Sequence, residues 1–268
     1  MAGPLAQGSA VLCYDGTLEG FCCAVLTAYE LRQRPAGIVA GRSQQLGLFS
    51  QLVDVPTSWE RALRVRRGLE RIADGRVWRK VQVAFLSDEE GREDALFAYI
   101  ELAMRNGAHV LSALGDARVA AVERLATQVF NERERMYQFL RFEQLEGGVW
   151  FGRIRPKARV VPIMMGHFTQ RYNTQPFMIF DEAHGMAGVS VEGRSTIVLV
   201  REGELEVPGR AEGEVAYQRL WKRFYDSVSN DLRYNPDLRR SFMPKRLWGN
   251  LTEFTRAVED AAPAGSGA

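Results

Sequence analysis

The hydrophobic period of this chain changes partway along its length, and that change limits the folds open to it. From Leu18 to about Arg135 apolar residues recur mostly at three- and four-residue spacing, the period of helices with one buried face. From Phe139 to Val200 they gather in short β-rich runs separated by turn residues. The pattern predicts an α+β protein. Its N-terminal half is mainly helical with a few strands, and its C-terminal half is an antiparallel sheet with flanking helices. The N-terminal α/β region is expected over 10–112, a C-terminal α+β domain over 113–256 and a disordered tail over 257–268.

Local signals place the elements. Ala10–Tyr14 reads as a strand, Asp15-Gly16-Thr17 as a turn, and Thr17 or Asp15 as the cap of a helix that ends by Pro35. Gly37–Ala40 and Leu52–Val55 read as strands, and a helix follows from Thr57 to about Asp74. Val81–Leu86 looks strand-like but also fits a helical run. Ser87 is the expected cap of a helix to about Asn106, and Asp116 of one running from Ala117 to Arg135 or beyond. Phe139–Phe142, Gly148–Ile154 and Arg159–Ile163 read as strands, with a short helix over Met164–Tyr172. Phe177–Phe180, Gly188–Val191 and Ser195–Val200 form an antiparallel meander. A long acidic loop, Glu202–Glu214, leads to a helix over Tyr217–Asn230, which Asn235-Pro236 breaks, and an amphipathic stretch runs on to about Val258.

Charge narrows the function classes. Thirty-five Lys and Arg face 33 Asp and Glu among 268 residues, a net charge of +2, so a global polycation is excluded while basic faces are not. Lysine accounts for four of the bases (Lys80, Lys157, Lys222 and Lys245); arginine, which suits bidentate phosphate and carboxylate contacts, supplies the rest. Cys13, Cys22 and Cys23 cannot make a disulfide framework, and with His109, His167 and His184 they show no metal-ligand spacing. They read as core residues of a cytoplasmic protein. No metal and no cofactor is expected, and no apolar run approaches the ~18 residues of a membrane span. Nucleotide-binding glycine loops and the hydrolase nucleophile elbow are absent.

Several constellations carry chemistry. Tyr217–Arg256 holds nine Arg and Lys against four Asp and Glu, with eight aromatics interleaved. Within it, Phe242-Met243-Pro244-Lys245-Arg246-Leu247-Trp248 brings two cations to a helix start between aromatic rings. That composition suits phosphates and stacked bases, and equally an amphipathic helix pair with a solvated basic face. Eight further bases lie over Arg61–Lys80. Arg141 and Glu143 flank Phe142 and share one face of a strand, as an ion pair or as two groups of a site. His167 and Arg171 share a helix face at i,i+4, which fits a phosphate or simple packing. Asp15 lies at a strand-to-helix turn, as turn former or as catalytic group, and Asp181 ends a strand that can border a cleft.

Taken in order, Tyr14-Asp15-Gly16-Thr17-x-Glu19-Gly20-Phe21, Phe139-Leu140-Arg141-Phe142-Glu143, His167-Phe168-x-x-Arg171-Tyr172, Gln175-Pro176-Phe177-x-Ile179-x-Asp181 and Phe242-Met243-Pro244-Lys245-Arg246-x-Trp248 resemble a bacterial family of DNA-metabolism or DNA-repair proteins. That family carries a C-terminal domain of unknown function. Its members are typically encoded beside a DNA-repair radical-SAM protein, and some relatives are fused to a uracil-DNA-glycosylase-like domain. The resemblance implies DNA, damaged or single-stranded, and the radical-SAM protein as partners. Arg141, His167, Arg171, Lys245 and Arg246 then hold phosphates, and Trp248 stacks on a base. Whether the protein is an enzyme stays open. If it is a glycosylase or hydrolase, Asp15, Glu143 or Asp181 is the candidate general base, with His167 assisting and Glu19 also highlighted by its motif. A non-catalytic protein scaffold is the third reading.

Overall fold

A computed structural model describes residues 6–41, 51–201, 203–228, 240 and 242–254. These fall into two compact units, Met1–Phe130 and Asn131–Ala268. The helical first half and the sheet of the second bear out the α+β class. Among the described residues no helix is long and apolar enough to cross a membrane.

In the first unit β1 (Ala6–Gln7) pairs in parallel with β3 (Gln33–Arg34). The central strand of its other sheet is β2 (Ala10–Tyr14), parallel to β4 (Gly37–Ala40) on one side and β5 (Gln51–Asp54) on the other. Val11 to Tyr14 are all buried, the near-continuous apolar run expected of a covered parallel strand. Helix α1 (Leu18–Leu31) starts where Thr17 Oγ1 accepts from Gly20 N at 3.0 Å. It ends at Arg32, whose left-handed backbone (φ 53°) turns its N–H back to Ala28 O and Tyr29 O. The three cysteines are buried, and burial, with Cys23 and Glu19 adding to it, pushes the Cys22 thiol up to about 12.

Helix α2 (Trp59–Ala73) is capped by Ser58 and packs against α1. The run from Val81 is helical through Phe85: α3 spans Gly75–Phe85, capped by Asp74. Its buried Val77, Trp78, Val81, Ala84 and Phe85 follow the helical period, which overrides the β-branched content. Ser87 does not cap the next helix. Its Oγ accepts from Glu89 N, and α4 (Arg92–Asn106) begins after Gly91, whose φ of 78° suits glycine. Arg92 is buried, donating to Phe85 O, Ser87 O and Tyr14 Oη and pairing with Glu93. Helix α5 (Ala117–Phe139) begins where Asp116 accepts from Arg118 N, and the boundary between the two units falls within it.

The second unit is built on a five-stranded sheet. Its strands are β6 (Phe142–Gln144), β7 (Trp150–Ile154), β8 (Phe177–Asp181), β9 (Met186–Val191) and β10 (Arg194–Leu199), in spatial order β10-β9-β8-β7-β6. Three pairings are antiparallel; β7 and β8 are parallel because α6 (Val161–Arg171) crosses between them. Val161 to Ile163 open that helix instead of forming a strand, with Pro162 in its first turn and Val161, Met164, Met165 and Phe168 buried at helical spacing. Gly152, Ile179 and Gly188 lie side by side across β7, β8 and β9. A Cβ on Gly188 would overlap Met165, and one on Gly152 would overlap Leu140, so the two glycines let α6 and the end of α5 close on that face. Phe142 packs edge-on against Phe168, Tyr172 and Phe177.

Helix α7 (Glu214–Val228) begins three residues earlier than its periodicity suggests, because buried Glu214 accepts from Gln144 N and Gln218 Nε2. The break at Asn235-Pro236, both ends of the final amphipathic stretch and the tail 257–268 lie outside the described residues, and the described part of that stretch forms two short 3-10 turns, Lys245–Asn250 and Thr252–Phe254.

Candidate functional site

Strand alternation separates two sets of residues on the sheet. Gly152, Ile179 and Gly188 face α6, so Glu143, Phe151 and Arg153 face the opposite way. On that opposite face lies a cavity of about 370 Å³, with Phe151 among its walls. Three arginines, Arg141, Arg153 and Arg210, and two carboxylates, Glu143 and Glu182, line it. Gln218, Asn250 and Thr252 add neutral polar groups.

Each charged group is held by its surroundings. Arg210 belongs to the acidic loop, where it forms an antiparallel bridge with Leu145, and Ala211 N donates to Gln144 O at 2.9 Å. That bridge brings Arg210 Nε to Glu143 Oε2 at 2.6 Å, and the Nη groups of Arg210 have no partner among the described residues. Arg153 rests over the Phe151 ring, 5.1 Å from its centroid, and reaches Glu182 at 3.4 Å. Arg155 holds Glu182 from a second direction at 2.9 Å. Arg141 donates to Glu253 at 2.9 Å and to the carbonyls of Gln138 and Leu140. Glu253 is buried and also accepts from Trp221 Nε1 at 3.1 Å. Arg141 and Glu143 thus share a cavity, as their spacing suggests, but each pairs with a distant residue and not with the other.

The remaining candidates lie elsewhere. His167 is exposed on α6 with its ring 4.5 Å from that of Tyr137, which also carries Arg133 on its face. Arg171, on the same helix, lies over Tyr172. Both belong to the helix on the other side of the sheet from the cavity. Lys245 is exposed. Arg246 is bound through Nη2 to both oxygens of buried Glu132, at 2.6 Å each, and through Nη1 to Arg155 O at 2.9 Å. Trp248 is half-buried, donates to Met243 O and stacks on Phe254 at 5.1 Å. Asp181 is fully buried in the turn after β8, accepting from the backbone of Ala183 and His184 and lying 2.5 Å from His184 Nδ1.

Asp15 and Glu19 belong to the first unit. Asp15 Oδ1 accepts from Thr17 N and Oγ1, and Oδ2 from Thr57 Oγ1 at 2.8 Å. Its carboxylate lies directly over Gly20, where a Cβ would overlap it. Partial burial would raise its pKa, but the Thr17 and Thr57 hydrogen bonds prevail and hold it below the ordinary carboxylate range. A carboxyl depressed on folding adds stability above its unfolded pKa and loses it as pH falls through the folded value. Asp15→Asn is therefore expected to lower the urea midpoint at neutral pH and to have little effect once the wild-type carboxyl is protonated. Equal destabilisation at both pH values would assign Asp15 a purely steric role.

The alternation that links Arg141 with Glu143 also links Phe151 with Arg153, so Arg153 was readable from sequence. Arg210 and Glu182 carry no comparable local signal. Among the described residues no group of three or more His, Cys, Asp or Glu is placed to hold a metal ion.

No curated protein and no solved structure matches the chain. A family model, that of a domain of unknown function (DUF4130), matches residues 90–253, which include every residue of the cavity. The match takes in more than half of the sequence, from just before α4 to the buried Glu253. The chain therefore belongs to the DUF4130 family.

Proposed function

We propose that this is a DNA-metabolism protein that binds DNA, damaged or single-stranded, and acts with a radical-SAM repair partner. The observation that carries the reading is the gathering of Arg141, Arg153 and Arg210 around one polar cavity beside Phe151. Guanidinium forks take phosphate oxygens in pairs, and Asn250, Gln218 and Thr252 supply neutral donors for a sugar or base edge. Arg210 and Arg153 are the principal phosphate ligands, because each commits one guanidinium nitrogen to a carboxylate and keeps the others. The ordered motifs that resemble a DNA-repair family supply the partner.

Anisotropy of a labelled single-stranded oligonucleotide tests the reading. Affinity is expected to fall steeply with salt. Arg210→Ala and Arg153→Ala should each weaken it and reduce the salt slope by about 0.7 for each phosphate no longer neutralised. Absence of binding at low salt, with and without the radical-SAM partner, overturns it.

A second reading rests on Glu143, a carboxylate that faces the cavity beside its arginines. There it is placed to act as general base on a bound nucleotide. Product formation from lesion-bearing oligonucleotides that disappears in Glu143→Gln supports this enzyme reading; binding without turnover supports the first.

A further inference from the structure

A second concave surface, in the first unit, contains none of the residues placed above at a candidate site and takes in part of the basic run Arg61–Lys80. It is a trough of about 730 Å³ between α1, α2 and α4. Val25, Leu26, Val65, Ile100 and Met104 make it apolar, and no carboxylate lines it. Helix α2 supplies one wall as two parallel stripes. Val65, Gly68 and Ile72 form the apolar stripe; Arg64, Arg67 and Arg71 form the basic one, each at i, i+3, i+7 spacing. The three arginines are exposed and have no ion-pair partner among the described residues, whereas Arg61 and Arg66 on the same helix are paired with Glu30 and Glu70. Gly68 leaves the wall open, since a Cβ there meets nothing within 4 Å. On another wall Tyr29 Oη is closed off from solvent without a hydrogen-bond partner.

We propose that this trough docks an acidic amphipathic helix of a partner protein. Charge complementarity selects that occupant. Arg64 to Arg71 spans seven residues, about 10 Å along a helix, more than one carboxylate or one phosphate can bridge. The ligand therefore carries several negative charges at helical repeat. The apolar lining calls for a stripe of aliphatic side chains beside those charges, which a helix supplies and a nucleic-acid backbone does not. Carboxylates along the docked helix pair with the arginine stripe while its apolar face fills the space over Gly68. The oligonucleotide cavity of the second unit plays no part in this proposal, and the two can fail independently.

The test is selection from a random peptide display library against the full chain, followed by anisotropy on the enriched peptide. The expected consensus has apolar residues at i, i+3 and i+7 flanked by Asp or Glu. Gly68→Trp, which fills the trough, should weaken the peptide about tenfold or more, while Gly68→Ala should leave it bound. Arg64→Glu with Arg67→Glu and Arg71→Glu is a surface variant that should do the same as Gly68→Trp if the tryptophan disturbs folding. Dodecanoate and a single-stranded oligonucleotide are run as competitors. No enrichment, a basic or uncharged consensus, peptides indifferent to both variants, or displacement by either competitor at lower concentration than unlabelled peptide would overturn the proposal.

Discussion

Arg246→Ala is expected to destabilise the second unit by about 3 kcal/mol and to leave oligonucleotide affinity unchanged in the folded protein. The residue sits between aromatics in a basic stretch of the sequence, yet its guanidinium holds both oxygens of Glu132 at 2.6 Å. The Glu132 side chain is only 3% exposed, so removing the arginine strands a carboxylate away from water. Breaking one side of a buried pair costs about 3–5 kcal/mol. The lower end applies here because Lys157 N at 2.8 Å and Arg135 at 3.3 Å remain on the same carboxylate. Replacing both partners, with Arg246→Met and Glu132→Met, should recover part of the loss, since an apolar pair replaces a buried ionic one. The recovery is partial because Lys157 N then lacks its acceptor. Urea unfolding of the two singles and the double gives the coupling energy. Additive losses would mean that the pair contributes nothing, and a tenfold fall in DNA affinity in folded Arg246→Ala would return the residue to phosphate binding.

The same pair marks how far the sequence could be read. Local rules worked where the interaction is local. Thr17 capping α1, the meander β8–β9–β10 and the shared face of Arg141 and Glu143 all follow from residues a few positions apart. They failed where β-branched content competed with period, as at Val161, which is helical because its apolar neighbours recur at three and four; at Val81, where strand and helix both fitted, the same period decides for the helix. The parallel pairing of β7 with β8 was hidden for the same reason. Once Arg159–Ile163 is read as a strand, the helix expected over Met164–Tyr172 no longer joins β7 directly to β8, and the crossover that forces parallel pairing is lost from view. The site was least legible because its charges are matched over long distances. Arg246 and Glu132 are 114 positions apart, Arg141 and Glu253 112, and Arg210 and Glu143 67. Composition counts cations; it does not say which of them folding leaves for a ligand. Of the basic candidates, Arg246 is bound to a buried carboxylate and Arg141 shares one with Trp221, while Arg210, in a loop with no motif, borders the cavity.

Asp181 is the second residue whose substitution should have a large effect, and here too the effect should be structural. Its carboxylate is fully buried and closes the turn from β8 to β9 through Ala183 N at 3.0 Å and His184 N at 3.3 Å, with His184 Nδ1 2.5 Å from the other oxygen. Asp181→Ala leaves these groups without this acceptor, and because Ala183 is exposed and His184 half-buried, water replaces part of it. At about 1–3 kcal/mol for a buried group left unsatisfied, the loss should be about 2–3 kcal/mol. Asp181→Asn keeps an acceptor for the two backbone N–H groups and places an amide N–H₂ toward His184 Nδ1, which accepts in the neutral tautomer carrying its proton on Nε2. Its cost should therefore be smaller, about 1–2 kcal/mol, the difference between a charged and a neutral acceptor. The two variants separate folding from chemistry. If Asp181 were a general base, the folded asparagine variant would bind oligonucleotide normally and form no product. As the lock of a turn, Asp181 gives variants whose loss of function follows the fraction unfolded and vanishes when stability is restored by lowering urea or temperature. An Asp181→Ala protein as stable as the wild type would show that the turn does not depend on this carboxylate.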